Sequence, residues 1–321
     1  MIAKETTYGT YVTPTETITE GIVFLPGNFT GKTMIRDAPI GFSQPIKHIW
    51  TDEKPDFEMS WYTIGGYFWN FLLGADFTGT ADEDIDGAQA GHTCYKFRIP
   101  STTPFRPEPF SMELAEEAGA SDNLLKFQGN CINSVALTIP KAERWEFRGR
   151  VLAQHCAIAT AAKQTATFSE AIPFLGRNTE FKIGGGEELG FTRLTLNVNN
   201  NLMHSGDITG DGYSSDLIRR DPGLQVGLDV DFLADKWDFI SDLVDETSVG
   251  DIEIRQVVGD TPQRKMNILL KDCAPEKVDF GVERGNKQVI HKVTWVPRFA
   301  SSTDMIQANY STLTSGGIHV W

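Results

Sequence analysis

Strict alternation of apolar and polar residues, written twice in one chain, is the strongest constraint on this fold. Leu224, Val226, Leu228, Val230 and Phe232 alternate with Gln225, Gly227, Asp229 and Asp231, the period-two signature of a strand with one buried face. The earlier segment Pro55-Asp-Phe-Glu-Met-Ser-Trp-Tyr puts Phe57, Met59 and Trp61 on one face and Glu58, Ser60 and Tyr62 on the other. Each strand follows a proline, Pro55 or Pro222, and these lie 167 residues apart. Each also runs into a short segment of helical character, 64–73 in the first case and 233–244 in the second, where Trp237, Ile240 and Val244 share a face. The chain therefore reads as two tandem copies of one β-rich unit, residues 1–165 and 166–321.

The match continues downstream. Tyr95, Phe97 and Ile99 correspond to Ile252 and Ile254, and Phe110, Met112 and Leu114 to Met266, Ile268 and Leu270. Two closing hairpins follow. Val135, Leu137 and Ile139 turn through Pro140-Lys-Ala-Glu-Arg to Trp145 and Phe147, and Val278, Phe280 and Val282 turn through Glu283-Arg-Gly-Asn to Val289. Val135 and Val278 are 143 apart, so the first copy carries about 24 extra residues between helix and hairpin. These include an acidic stretch, 75–89, with Asp76, Asp82, Glu83, Asp84 and Asp86 and no base, then Pro100, Pro104, Pro107 and Pro109. The acidic stretch reads as a solvated excursion, with a cation site or a partner contact as its alternatives. The small residues of 157–167 suggest a packed connector between the copies, Gly184-Gly-Gly a turn, and Asn199-Asn-Asn a turn with left-handed residues.

The 43 acids against 29 bases give a net charge of −14. A surface that grips nucleic acid needs clustered cations, so that class is disfavoured. At 22% charged and 40% hydrophobic residues the composition is that of a folded chain. Met1-Ile-Ala-Lys-Glu-Thr-Thr lacks the apolar core of a signal peptide, and no stretch matches a membrane helix. Synthesis in a cytoplasm and no membrane partner are the expectations. Cys94, Cys131, Cys156 and Cys273 lie far apart and read as reduced, mostly buried thiols.

Motifs for chemistry are weak. Asp207-Ile-Thr-Gly-Asp-Gly-Tyr-Ser-Ser-Asp approaches a calcium loop, but Thr209 and Ile218 stand where ligating acids belong. His92 with Cys94 and His155 with Cys156 lack further ligands or a third catalytic partner. No Gly-x-Ser-x-Gly or phosphate-loop pattern is present. No catalytic residue, cofactor or metal site is expected. The tryptophans at 50, 61, 69, 145, 237 and 295 fall in predicted strands and helices and read as core.

Taken in order, Lys4-Glu-Thr-Thr-Tyr-Gly-Thr, the strand ending in Asn-Asn-Asn near 200, the glycine-containing strand 224–232 with its following helix, and the closing hairpin resemble the tail tube proteins of long-tailed bacteriophages and related viruses. The resemblance spans nearly the whole chain and rests on the order of these segments. It implies a mainly β fold of two tandem antiparallel β-sandwich or barrel-like tail-tube domains, each with one short flanking helix, plus extended amino- and carboxy-terminal arms. It further implies stacked rings in a virion tail, around a channel that passes double-stranded DNA without binding it specifically, and contacts with other tail components at the tube ends. Two domains per chain suggest a homotrimeric, pseudo-hexameric ring.

Within that assembly Glu58, Asp229 and Asp231 are the expected channel lining, with outer solvent as the alternative for those side chains. The arms 4–19 and 301–321 lack a core-forming period and are expected to order on a neighbouring ring, with Lys4, Tyr8, Tyr11, Tyr310 and Trp321 as contacts. Two other classes compete. A tandem β-sandwich module binding carbohydrate or a host surface predicts an exposed aromatic patch. A hydrolase using paired carboxylates predicts a cleft with a perturbed acid.

Overall fold

The computed structural model describes residues 2–14, 23–25, 32–37, 47–53, 56–62, 65–73, 79–99, 107–116, 122–163, 172–187, 190–204, 218–220, 223–233, 238–259, 263–282, 289–298 and 305–313. The first half contains β1 (Ile2–Lys4), β2 (Val23–Leu25), β3 (Lys32–Asp37), β4 (Lys47–Glu53), β5 (Asp56–Tyr62), α1 (Tyr67–Leu73), β6 (Thr80–Asp84), β7 (Gly87–Arg98), β8 (Phe110–Glu116), β9 (Asp122–Pro140), β10 (Glu146–Leu152) and β11 (His155–Ala161). The second contains β12 (Thr179–Ile183), β13 (Gly186–Glu187), β14 (Phe191–Asn199), β15 (Leu202–His204), β16 (Ile218–Arg220), β17 (Gln225–Phe232), α2 (Asp238–Val244), β18 (Gly250–Val258), β19 (Arg264–Val282), β20 (Val289–Pro297) and β21 (Ile306–Leu313). The fold is mainly β and antiparallel, as the alternation predicts.

One layer is a continuous run of eight strands, β2-β5-β10-β9-β14-β17-β20-β19. Opposite it lie β1-β8-β9-β11 and β13-β12-β18-β19-β21-β7-β6. Apolar positions of both layers form one core. Phe57 of β5 meets Phe127 of β9 at 4.9 Å between ring centroids, and Phe181 of β12 meets Trp295 of β20 at 6.4 Å. Trp61, Trp69, Trp145 and Trp295 are buried there, as expected. The side chains of Trp50 and Trp237 lie outside the described residues.

β9 and β19 belong to both layers, which the sequence does not announce. Each runs 19 residues and carries one left-handed residue partway along, Gly129 (φ +63°) and Asp272 (φ +46°). A left-handed residue bends the strand so that its two ends pair with different neighbours. Glycine adopts that conformation freely. At Asp272 the backbone N–H donates to Asp251 Oδ1 at 3.0 Å, and Ser248 donates to the Asp272 carboxylate.

The halves join edge to edge, from Arg193 opposite Pro140 to Asn199 opposite Ser134. Asn200 secures the joint: its buried side-chain amide donates to the carbonyls of Leu72 and Ile132, both at 2.9 Å. Asn201 takes a left-handed conformation (φ +48°), so the asparagine run is the expected turn.

Three expectations are corrected. The acidic stretch is exposed at 80–82 and at Asp86, as a solvated excursion would be, but it includes the hairpin β6–β7, and β7 pairs with β21 of the second half. Asp84 is buried and pairs with Lys265 Nζ at 2.5 Å, while Asp86 pairs with Arg255 at 2.7 Å. Burial opposes the charge on Asp84, but the hydrogen bond from Lys265, the Asp86 amide and the Lys265 charge together hold its carboxyl below the usual range. The expected connector is in part the strand β11. The beginning of the amino-terminal arm is docked on its own sheet, because Ile2 fills the core and the buried Glu5 carboxylate accepts hydrogen bonds from Ser111 Oγ (2.8 Å) and the amides of Gly129 (2.8 Å) and Gly9 (2.9 Å).

Candidate functional site

From β5 to β20 the face of the eight-strand layer that turns away from the core is largely polar. Period two dictates this: in β5 Phe57, Met59 and Trp61 are buried while Glu58 is exposed, and in β17 Val226, Leu228, Val230 and Phe232 are buried while Gln225 is exposed. Glu58, Asp229 and Asp231 therefore share one face, with β10, β9 and β14 between their strands.

Pairing registers place a cation beside each acid. Glu58 is opposite Arg150 of β10, and Asp231 lies between Arg193 of β14 and Lys292 of β20. Asp229 accepts from Thr294 Oγ1 at 2.5 Å and lies 3.3 Å from Lys292 Nζ. Arg150 Nε donates to Asp56 Oδ1 at 2.9 Å, and that hydrogen bond holds the guanidinium protonated more firmly than usual. Lys277 and Asp279 pair on β19 at 2.6 Å. Between these clusters the middle strands present Ser134, Ala136, Thr138, Thr195, Asn197 and Asn199. The result is a broad sheet face whose charges compensate one another from strand to strand. A polyanion moving along it meets neither a basic trap nor an unrelieved acidic wall.

The neutralising cations are what reading the acids alone misses. Their signal is nonetheless in the sequence, since Arg150, Arg193 and Lys292 occupy the polar positions of alternating strands.

The residues expected at contacts between rings are scattered. Lys4 is exposed, 3.6 Å from Glu108. Tyr8 packs against Cys131, Leu152 and Leu202. Tyr11 donates to Glu113 Oε2 at 3.1 Å beneath Lys126, and burial followed by the nearby Glu113 charge pushes its hydroxyl pKa upward. Tyr310 is fully buried in β21, so part of the stretch 301–321 expected as an arm is instead a core strand paired with β19 and β7. Trp321 lies outside the described residues, as does the calcium-like segment 207–216.

Other candidate chemistry finds little support in the geometry. Among the described residues no three His, Cys, Asp or Glu side chains cluster as metal ligands. Cys94 and Cys273 are buried, which pushes their thiols up to about 11 and about 12, away from nucleophile or ligand chemistry. No helix among the described residues is long and apolar enough to cross a membrane.

No curated protein matches the chain. The family model described as phage tail tube protein matches residues 1–290. That match covers most of a chain whose two layers of antiparallel strands have just been described. The chain belongs to the phage tail tube protein family.

Proposed function

We propose that the protein self-assembles into stacked rings of three chains, each chain supplying two tube domains, 1–165 and 166–321, and that the polar face of the eight-strand layer lines a channel for double-stranded DNA. The observation that carries this reading is the joint between β9 and β14. Each half contributes four strands in a matching order, β2-β5-β10-β9 and β14-β17-β20-β19. The end strand of the first set pairs with the first strand of the second. A second junction of the same kind, from β19 of one chain to β2 of the next, extends the sheet from chain to chain. A heterologous contact of this sort closes into a ring when its rotation divides the circle, and closure removes the free strand edges at both ends of the layer.

The lining then carries Glu58, Asp229 and Asp231 together with their cation partners. DNA passes such a surface without a specific grip, because phosphates gain nothing from arginines and lysines already neutralised by neighbouring carboxylates. The exposed Lys4, the segment 15–22 and the carboxy-terminal stretch with Trp321 are the proposed contacts between rings and with components at the tube ends. The place of action is the virion tail, after synthesis in the host cytoplasm.

Electron microscopy of the purified protein tests the reading. Rings or tubes with threefold symmetry and six similar units per ring are expected. Six chains per ring, or discrete monomers at high concentration, overturn it.

A further inference from the structure

The two halves present one corresponding position in opposite states. β8 meets β9 at Phe110 opposite Asn130 and then at Met112 opposite Phe127, with a register shift between them. β18 meets β19 at Gly250 opposite Cys273 and then at Ile252 opposite Leu270, with the same shift. Phe127 and Leu270 thus correspond, so β8 answers to β18 and β9 to β19, which corrects the match of Phe110, Met112 and Leu114 to Met266, Ile268 and Leu270 expected from the sequence. Counting along the next strands, Ile158 of β11, opposite Leu125, corresponds to Ala308 of β21, opposite Ile268. Ala308 is fully buried, whereas Ile158 is 81% exposed.

The helices show the same contrast. Trp61 opposite Phe147 corresponds to Phe232 opposite His291. The seven-residue helices that follow therefore match end to end, Leu73 with Val244. Leu73 is 1% exposed and Val244 is 74% exposed.

Both buried members lie in elements at the place where the first half packs on the second, α1 against β7 and β21 beside it. There β7 pairs with β21, and a side chain at Gly66, just before α1, would strike Tyr310 and Phe97. Both exposed members lie in the elements that have no such neighbour among the described residues. In addition, Ala157–Ala161 carries no charge and no proline, and among the described residues its only strand partner is β9. An edge without those protections pairs readily with another chain.

We propose that β11 around Ile158 and the end of α2 at Val244 form a contact between successive copies of this chain, the counterpart of the contact made within the chain by β21 and α1. The occupant is a second copy because repeating the internal junction around a ring brings the second half of one chain against the first half of the next. This rests on the ring assembly proposed above. The second half has no hairpin matching β6–β7, since only 245–249 separate α2 from β18. The contact between chains is therefore made by apolar surface where the internal one is also strapped by Asp84 and Lys265, and it is the weaker of the two.

The test compares wild-type protein with Ile158→Glu and Val244→Glu by negative-stain microscopy and thermal melting. Each variant is expected to keep its melting temperature and to give about tenfold fewer rings or tubes. Normal assembly by both variants overturns this surface while leaving the tube reading intact. A wild-type protein that never assembles overturns the ring reading instead. Should one single variant fail to fold, the other decides.

Discussion

Lys265 Nζ lies 2.5 Å from Asp84 Oδ2 across 181 residues of sequence, and the pair closes the hairpin of the first half onto the sheet of the second. Asp84 is buried and Lys265 nearly so. Removing one member leaves the other poorly solvated, which is the costly way to break such a pair. Asp84→Asn is expected to lower unfolding stability by about 1–3 kcal/mol, read from chemical denaturation. An unchanged midpoint would show that Asp86, 3.0 Å from the same ammonium, suffices alone.

The same carboxylate makes the fold sensitive to acid. Asp84 is depressed in the folded state, and so is Asp251, where burial is outweighed by Lys271 and the Asp272 amide. A depressed carboxyl contributes stability above its unfolded pKa of about 3.9 and loses it as pH falls through the folded value. The melting temperature should hold from neutral pH down to about 5 and then decline below about 4. In Asp84→Asn that decline is shallower.

Glu5 holds the amino-terminal segment through the amides of Gly9 and Gly129 and the hydroxyl of Ser111. Glu5→Gln keeps the volume and loses the charge that strengthens these bonds. It is expected to cost about 1–3 kcal/mol and to speed hydrogen exchange in 2–4. For the same reason, deleting residues 1–19 destabilises the domain itself, a different outcome from the loss of an arm needed only for assembly.

Gly66 leaves no room for a methyl group. An added Cβ would lie 2.8 Å from atoms of both Phe97 and Tyr310. Gly66→Ala should destabilise by about 1–3 kcal/mol through overpacking, and proteolysis of the loosened hairpin should cleave it first. Equal resistance of variant and wild type to protease would contradict this.

Asp229 and Asp231 balance Lys292 and Arg193 on the polar face. Converting both acids to asparagine frees those cations. Tubes of the double variant should retain double-stranded DNA at low salt and release it as salt rises, while wild-type tubes do not retain it. Indifference of the variant to DNA would remove these residues from the proposed lining.

Much of the architecture was legible in the residues themselves. The alternation at 57–61, 135–139, 194–198, 226–232 and 252–254 is an unbroken local signal, and each segment is a strand with its apolar side in the core. The two short helices also appear where apolar runs follow those strands. The acids of the polar face were equally visible. Other features were not, because their signal is nonlocal. The bends at Gly129 and Asp272 look like ordinary strand positions until two different sheets claim the ends of one strand. The hairpin at 80–98 looks like a solvated acidic loop because Lys265 and Arg255 are remote in sequence.

The sequence by itself determined which side of each strand is apolar, and with it a two-layer β fold, because period two is a property of the backbone that neighbouring residues impose on each other. Only the tertiary structure decided which strands sit side by side. That choice depends on long-range edges, bends and ion pairs: it joined β9 to β14 in one sheet, set arginine and lysine against the acids of the polar face, and left Ile158 exposed while burying Ala308.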